Sequence, residues 1–114
     1  MDRPVISQAS QGAYDRIADH LAVEAGAKAG QMMGMPTLFL GGKAFAGLFG
    51  DAMVFKLAGD AHAGALGLPS ASLFDPSGMG RPMKAWVRVP LSDATEWPRL
   101  AGLALEDMRL IQGQ

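Results

Sequence analysis

The stretch Met32-Met33-Gly34-Met35-Pro36-Thr37-Leu38-Phe39-Leu40-Gly41-Gly42-Lys43-Ala44-Phe45-Ala46-Gly47-Leu48-Phe49 decides the fold. Met32 to Leu40 reads as one extended strand. Gly41-Gly42 is a two-residue hairpin signal, because both glycines accept the positive φ of a tight turn. Lys43 to Phe49 is then the return strand. Gly50-Asp51-Ala52 turns the chain again, and Met53 to Leu57 is a third strand. The reading is a three-stranded antiparallel meander.

On the N-terminal side, Tyr14, Ile17, Ala18, Leu21, Ala22 and Ala25 recur at helical spacing. Ser7 or Ser10 can cap this helix with a hydroxyl, and Gly26 and Gly30 stop it, which gives a helix over about 8–26. Residues 1–6, with Pro4, read as a lead-in. On the C-terminal side, a short Ala-rich helix over about 60–67 precedes a fourth strand at Ser70 to Phe74. Asp75-Pro76-Ser77-Gly78-Met79-Gly80 is a turn, and Met83 to Val89 alternates as a fifth strand. Trp97, Leu100, Ala104, Met108 and Ile111 form the stripe of a last helix, about 97–111, widened by Leu103 and Leu110 and capped by Ser92 or Asp93. The expected order is α–β(3)–α–β(2)–α. This is an α+β, two-layer sandwich, an antiparallel sheet with helices mainly on one face, formed by one domain over residues 1–114.

Cross-strand partners share a face. With two-residue turns, Thr37, Phe39, Ala44, Ala46, Leu48, Met53, Phe55 and Leu57 fall on one face, expected beneath the helices. Leu38, Leu40, Lys43, Phe45, Gly47, Phe49, Val54 and Lys56 fall on the other. A sheet face left in water should be mainly polar, and this one is not. Lys84, Trp86 and Arg88 share one side of the fifth strand. The bland reading is a solvated face in which aliphatic stems cover the aromatic ring. The sharper one is a binding face, since Trp and Arg are favoured interface anchors. The candidate interaction face is therefore Leu38, Lys43, Phe45, Phe49, Val54, Lys56, Lys84, Trp86 and Arg88. An apolar face of this kind is expected to be covered by a second copy, giving a homodimer, or by a regulatory protein partner.

Composition narrows the function classes. Of 114 residues, 49% are apolar, but Ala and Met supply 27 of them, so the core is adequate and thin. The net charge is −1. Residues 28–88 carry six basic and three acidic side chains, against two basic and four acidic on each flank. Such a dipole steers an acidic partner, but six scattered cations give few simultaneous phosphate contacts. Nucleic acid is thus not an expected partner; weak binding through the basic sheet side is an alternative. Without cysteine, thiolate catalysis, zinc-thiolate sites and disulfides are excluded. His20 and Glu24 share a helix face, but a zinc site needs three or four ligands and no third is evident. His62 reads as a surface residue. Neither the G-x-S-x-G elbow nor either phosphate-binding glycine pattern occurs, and Met32-Met33-Gly34-Met35 reads as flexible packing. No catalytic centre, metal or cofactor is expected. The first residues lack a basic-then-apolar leader and no apolar run is long enough to span a bilayer, so a cytoplasmic, non-membrane protein is expected.

The segment Met33 to Ala46 resembles the TfoX amino-terminal domain family, which carries Met-Phe-Gly-Gly, then Asp-Gly-Lys-x-Phe-Ala and a Leu-Tyr-Leu-Lys strand. Gly42-Lys43-Ala44-Phe45-Ala46 and Met53-Val54-Phe55-Lys56-Leu57 stand in the matching places, and Gly80 to Pro90 looks like the family's Met-x-Tyr…Val-Pro strand. The resemblance covers about residues 10–111. It implies a fold similar to secretion chaperones and YjbR-like proteins. Two-domain members include bacterial regulators of DNA-uptake competence that act with transcription machinery; with its end at Gln114, this chain is expected to be a single-domain member. The family supplies no catalytic residues. The function expected is a non-enzymatic regulatory or adaptor module acting through protein–protein contacts, linked to transcription or competence regulation. The alternative is a small-ligand-binding domain or an enzyme of another type.

Overall fold

A turn at Met33-Gly34 splits the long extended run in two. The structure, a computed structural model, describes residues 5–112. The lead-in at residues 1–4 and the last two residues lie outside the described residues. The chain runs α1 (Gln8–Ala25), β1 (Lys28–Met32), β2 (Met35–Leu40), β3 (Lys43–Phe49), β4 (Ala52–Lys56), α2 (Gly59–Leu66), β5 (Ser72–Phe74), β6 (Met83–Pro90), a 3-10 helix (Leu91–Glu96) and α3 (Trp97–Gln112). The six strands form one antiparallel sheet in the order β1-β2-β3-β4-β6-β5. The meander therefore has four strands where the sequence predicts three. Met33 (φ 54°) and Gly34 (φ 76°) are both left-handed, as in a two-residue hairpin of the type that Gly41-Gly42 (φ 57° and 79°) also forms.

All three helices lie on one face of the sheet, which makes the two-layer α+β sandwich. Tyr14, Ile17 and Leu21 of α1 and Leu100, Ala104 and Met108 of α3 pack with Leu48, Met53, Phe55, Leu57, Val87 and Val89. Leu48, Phe55 and Leu57 are buried there, as the alternation predicts. The α3 stripe ends at Met108, and Leu110 and Ile111 are exposed. Ser7 caps α1, its hydroxyl accepting the Ser10 N–H. Neither Ser92 nor Asp93 caps α3. They lie inside the 3-10 helix, which has no side-chain cap.

The assignment of β2 to faces is corrected. Register holds from Leu40 opposite Lys43 to Phe39 opposite Ala44, then shifts so that Leu38 faces Ala46. Phe45 is the extra residue of a β-bulge. One inserted residue inverts the parity of everything beyond it. Leu38 and Phe45 thus join the helix-side core, while Phe39 and Thr37 turn to the outer face. Gly47 is required at this crowded crossing: a Cβ there would lie 2.7 Å from Met35 Cε and 3.1 Å from the Pro36 carbonyl.

Candidate interaction surface

The nine residues of the expected face do not form one open surface. Leu38 and Phe45 are buried under the helices. Val54 and Trp86 are buried on the outer face, in a second cluster with Met35 and Phe74. Met32, Ala44, Phe49 and Met83 pack around it. Phe49 on β3 and Phe74 on β5 meet edge to face, with ring centroids 5.0 Å apart. The strands β4 and β6 lie between them in the sheet, so the two side chains meet across the outer face beside Val54 and Trp86. The chain itself therefore covers the face that parity leaves apolar.

The cations divide. Lys56 stands opposite Trp86, and Arg88 opposite Val54, on the outer face. Lys84 is exposed on the same strand, whereas Lys43 is exposed beside the Gly41-Gly42 turn. Trp86 is only 6% exposed and offers no free ring on which a base could stack. His62 Nε2 lies 2.8 Å from the Lys84 carbonyl, which joins α2 to β6.

The β1–β2 hairpin is open. Lys28 to Gln31 are exposed. Met33 is 62% exposed although its backbone sits in the left-handed region, where a bulky side chain is strained and Asn or Gly is favoured. It stands at the rim of a cleft of about 250 Å³ whose walls include Ile6, Gln31, Met35, Pro36 and Phe49. Mobile thioether walls of this kind adapt to varied apolar side chains. No sequence signal marks β1, because Lys28-Ala29-Gly30-Gln31-Met32 lacks β-branched and aromatic residues. The available clue is the Met33-Gly34 dipeptide: Gly at the second turn position between two apolar flanks.

Two other places carry polar chemistry. Asp51, between β3 and β4, accepts the Ser7 N–H at 2.9 Å and the Ser10 hydroxyl at 2.7 Å. The Ser7 backbone N–H first, then the Ser10 and Ser7 hydroxyls, holds its carboxyl below the usual aspartate range. This ties the start of α1 to the sheet. Ser10 has no histidine to activate it, since His20 is ten residues along the same helix, roughly 15 Å away. The second place is a cleft of about 210 Å³ between α1 and the start of α3, lined by Arg16, His20, Ile17, Leu21, Ala94 and Pro98. On α1, the Tyr14 hydroxyl is buried without a hydrogen-bond partner among the described residues, and burial, with the neighbouring Asp15 charge, pushes its ionisation well above the usual phenol range. Among the described residues, no three His, Asp or Glu side chains converge as metal ligands. None of the described helices is long and apolar enough to cross a membrane.

No family model matches the chain, and neither a curated protein nor a solved structure matches it.

Proposed function

We propose that this chain is a non-enzymatic regulatory or adaptor module of the cytoplasm that works through protein–protein contacts. The observation that carries this reading is Met33: a large apolar side chain held exposed, in a strained turn, at the mouth of an apolar cleft. Strained, solvent-facing residues that cost stability mark functional positions. The partner is a regulatory protein that presents an apolar side chain to this cleft. The TfoX-type resemblance of Met33 to Ala46 supports a link to transcription or competence regulation and rests on the quoted residues. Self-association as a homodimer belongs to the same reading, but through a surface other than the buried Leu38, Phe45 and Val54.

Site-specific photocrosslinking tests it. A photoreactive residue at position 33 should capture one protein in the native cell. The same residue at Val23, which is even more exposed on α1, should not. Identical adducts from both positions, or none from position 33, would overturn the reading. The enzyme or ligand-binding alternative is favoured instead if a small molecule protects the Arg16 and His20 cleft.

A further inference from the structure

The two edges of the sheet are built differently. The β5 edge is three residues long, is interrupted by a register shift, and lies between Pro69 and Pro76. Short strands, bulges and nearby prolines are the usual devices that keep an edge from pairing. The β1 edge has none of them. It pairs with β2 over five consecutive residues without a shift, and Lys28 to Gln31 are exposed on both sides, so no described helix or loop covers them.

The hairpin turn at Met33-Gly34 determines which backbone groups are free. Residues flanking a two-residue turn exchange hydrogen bonds, and the pattern alternates from there. Met32, Gly30 and Lys28 therefore bond to β2, at Met35, Thr37 and Phe39. Ala29 and Gln31 point their N–H and C=O groups away from the sheet. Pro36 lies opposite Gln31, at a position where its missing N–H costs the β1–β2 ladder nothing.

From this pattern we infer that β1 pairs with β1 of a second copy, antiparallel about Gly30, to join two sheets into one of twelve strands. The interface deepens the homodimer part of the function proposed above; it uses the backbone edge of β1 and adjoins the Met33 cleft at Gln31. The strand is self-complementary in this register. Ala29 exchanges hydrogen bonds with Gln31 of the second copy, and Gln31 with its Ala29, which satisfies every outward group of both. Gly30 faces its own copy at a non-hydrogen-bonded position, where the two chains come closest. Lys28, the only charge on the strand, stands opposite Met32 of the second copy. The two Lys28 side chains are then four residues apart, roughly 14 Å along the strand, so the device that usually blunts an edge causes no repulsion here. Phe39 already covers Gly30, whose added Cβ would lie 3.1 Å from its ring. In the pair, two Phe39 rings shield the central glycines from water.

The chain has no cysteine, so a single introduced thiol can bridge only between copies. Gly30→Cys brings two Cα atoms to about 4.5 Å, within disulfide range. Mild oxidation should link Gly30→Cys into a covalent dimer at least about tenfold faster than Lys28→Cys, as the difference in proximity requires. Because a Cβ at position 30 sits close to the Phe39 ring, Gly30→Cys is also made with Phe39→Ala; equal rates for positions 30 and 28, or no dimer from this double variant, would overturn the pairing. Amide exchange on the unmodified chain gives a second readout, independent of any substitution. Protection of Ala29 and Gln31 should rise from micromolar to millimolar concentration, while Gly30 and Met32 stay protected throughout. Fast exchange of Ala29 and Gln31 at every concentration would refute the pairing and leave the Met33 contact standing.

Discussion

The two faces of the sheet are both buried, but by different means. The inner face is covered by three helices, and Phe55, Leu48 and Val87 pack against Leu21, Leu100 and Ala104. The outer face is covered by its own side chains, with Phe49 against Phe74 in one cluster with Val54 and Trp86. The difference teaches that an apolar outer face need not be an interface. Side chains from strands that are not neighbours can close over such a face from within the chain, and the proposed contacts lie instead at the β1–β2 hairpin and the edge of β1.

If both faces are true cores, their central aromatics should count equally. Phe55→Ala and Phe74→Ala should each cost about 3–5 kcal/mol in urea unfolding. A loss below about 1 kcal/mol for Phe74→Ala would show that the outer cluster is a solvated surface. Gly47→Ala sharpens the same contrast, because its new methyl group must enter the space held by Met35 on the outer side. Overpacking there should cost about 1–3 kcal/mol, and relief by the additional change Met35→Ala would place the clash where the structure has it.

The inner layer is also tied to the sheet by Ser7, Ser10 and Asp51. Ser7→Ala should cost about 1 kcal/mol, the ordinary value of a lost N-cap. Because the Asp51 carboxyl is held below its usual range, its contribution is present above about pH 4 and is lost as the pH falls through the lower folded value. Acid unfolding should therefore begin at higher pH in Asp51→Asn than in the parent chain. An effect of similar size and opposite sign lies deeper in the same layer. Tyr14→Phe removes a buried hydroxyl without a partner and should raise stability by roughly 1 kcal/mol. The raised phenol ionisation makes the parent lose stability as the pH climbs past about 10, where the unfolded tyrosine ionises first. Tyr14→Phe should lack that loss, and Tyr14 is the only tyrosine in the chain.

The helices and the antiparallel layer are legible because their signals are local and periodic. Ser7 as a cap, the Tyr14–Ile17–Leu21 stripe and the Gly41-Gly42 turn all act within one element. The faces of β2 are not legible, because the Phe45 bulge is one inserted residue without a glycine to announce it. Its effect is nonetheless global, for it exchanges Leu38 with Phe39. The self-covering of the outer face is equally hidden. Phe49 and Phe74 are 25 positions apart on strands that are not neighbours, and no local pattern announces that they meet. The candidate surface rests on parity, so it fails where parity fails. Lys56 and Arg88 reach the outer face as expected, whereas four apolar or aromatic members are buried.

The outer face is closed by its own chain, and Trp86 reports on this closure directly. The chain has two tryptophans, so Trp97→Phe leaves Trp86 alone. With Trp86 packed against Met35, Val54 and Phe74, its emission should be blue-shifted and poorly quenched by iodide, and both properties should be independent of protein concentration. Red-shifted, readily quenched emission that turns blue only as copies associate would contradict the account and return the outer face to the role of an interface.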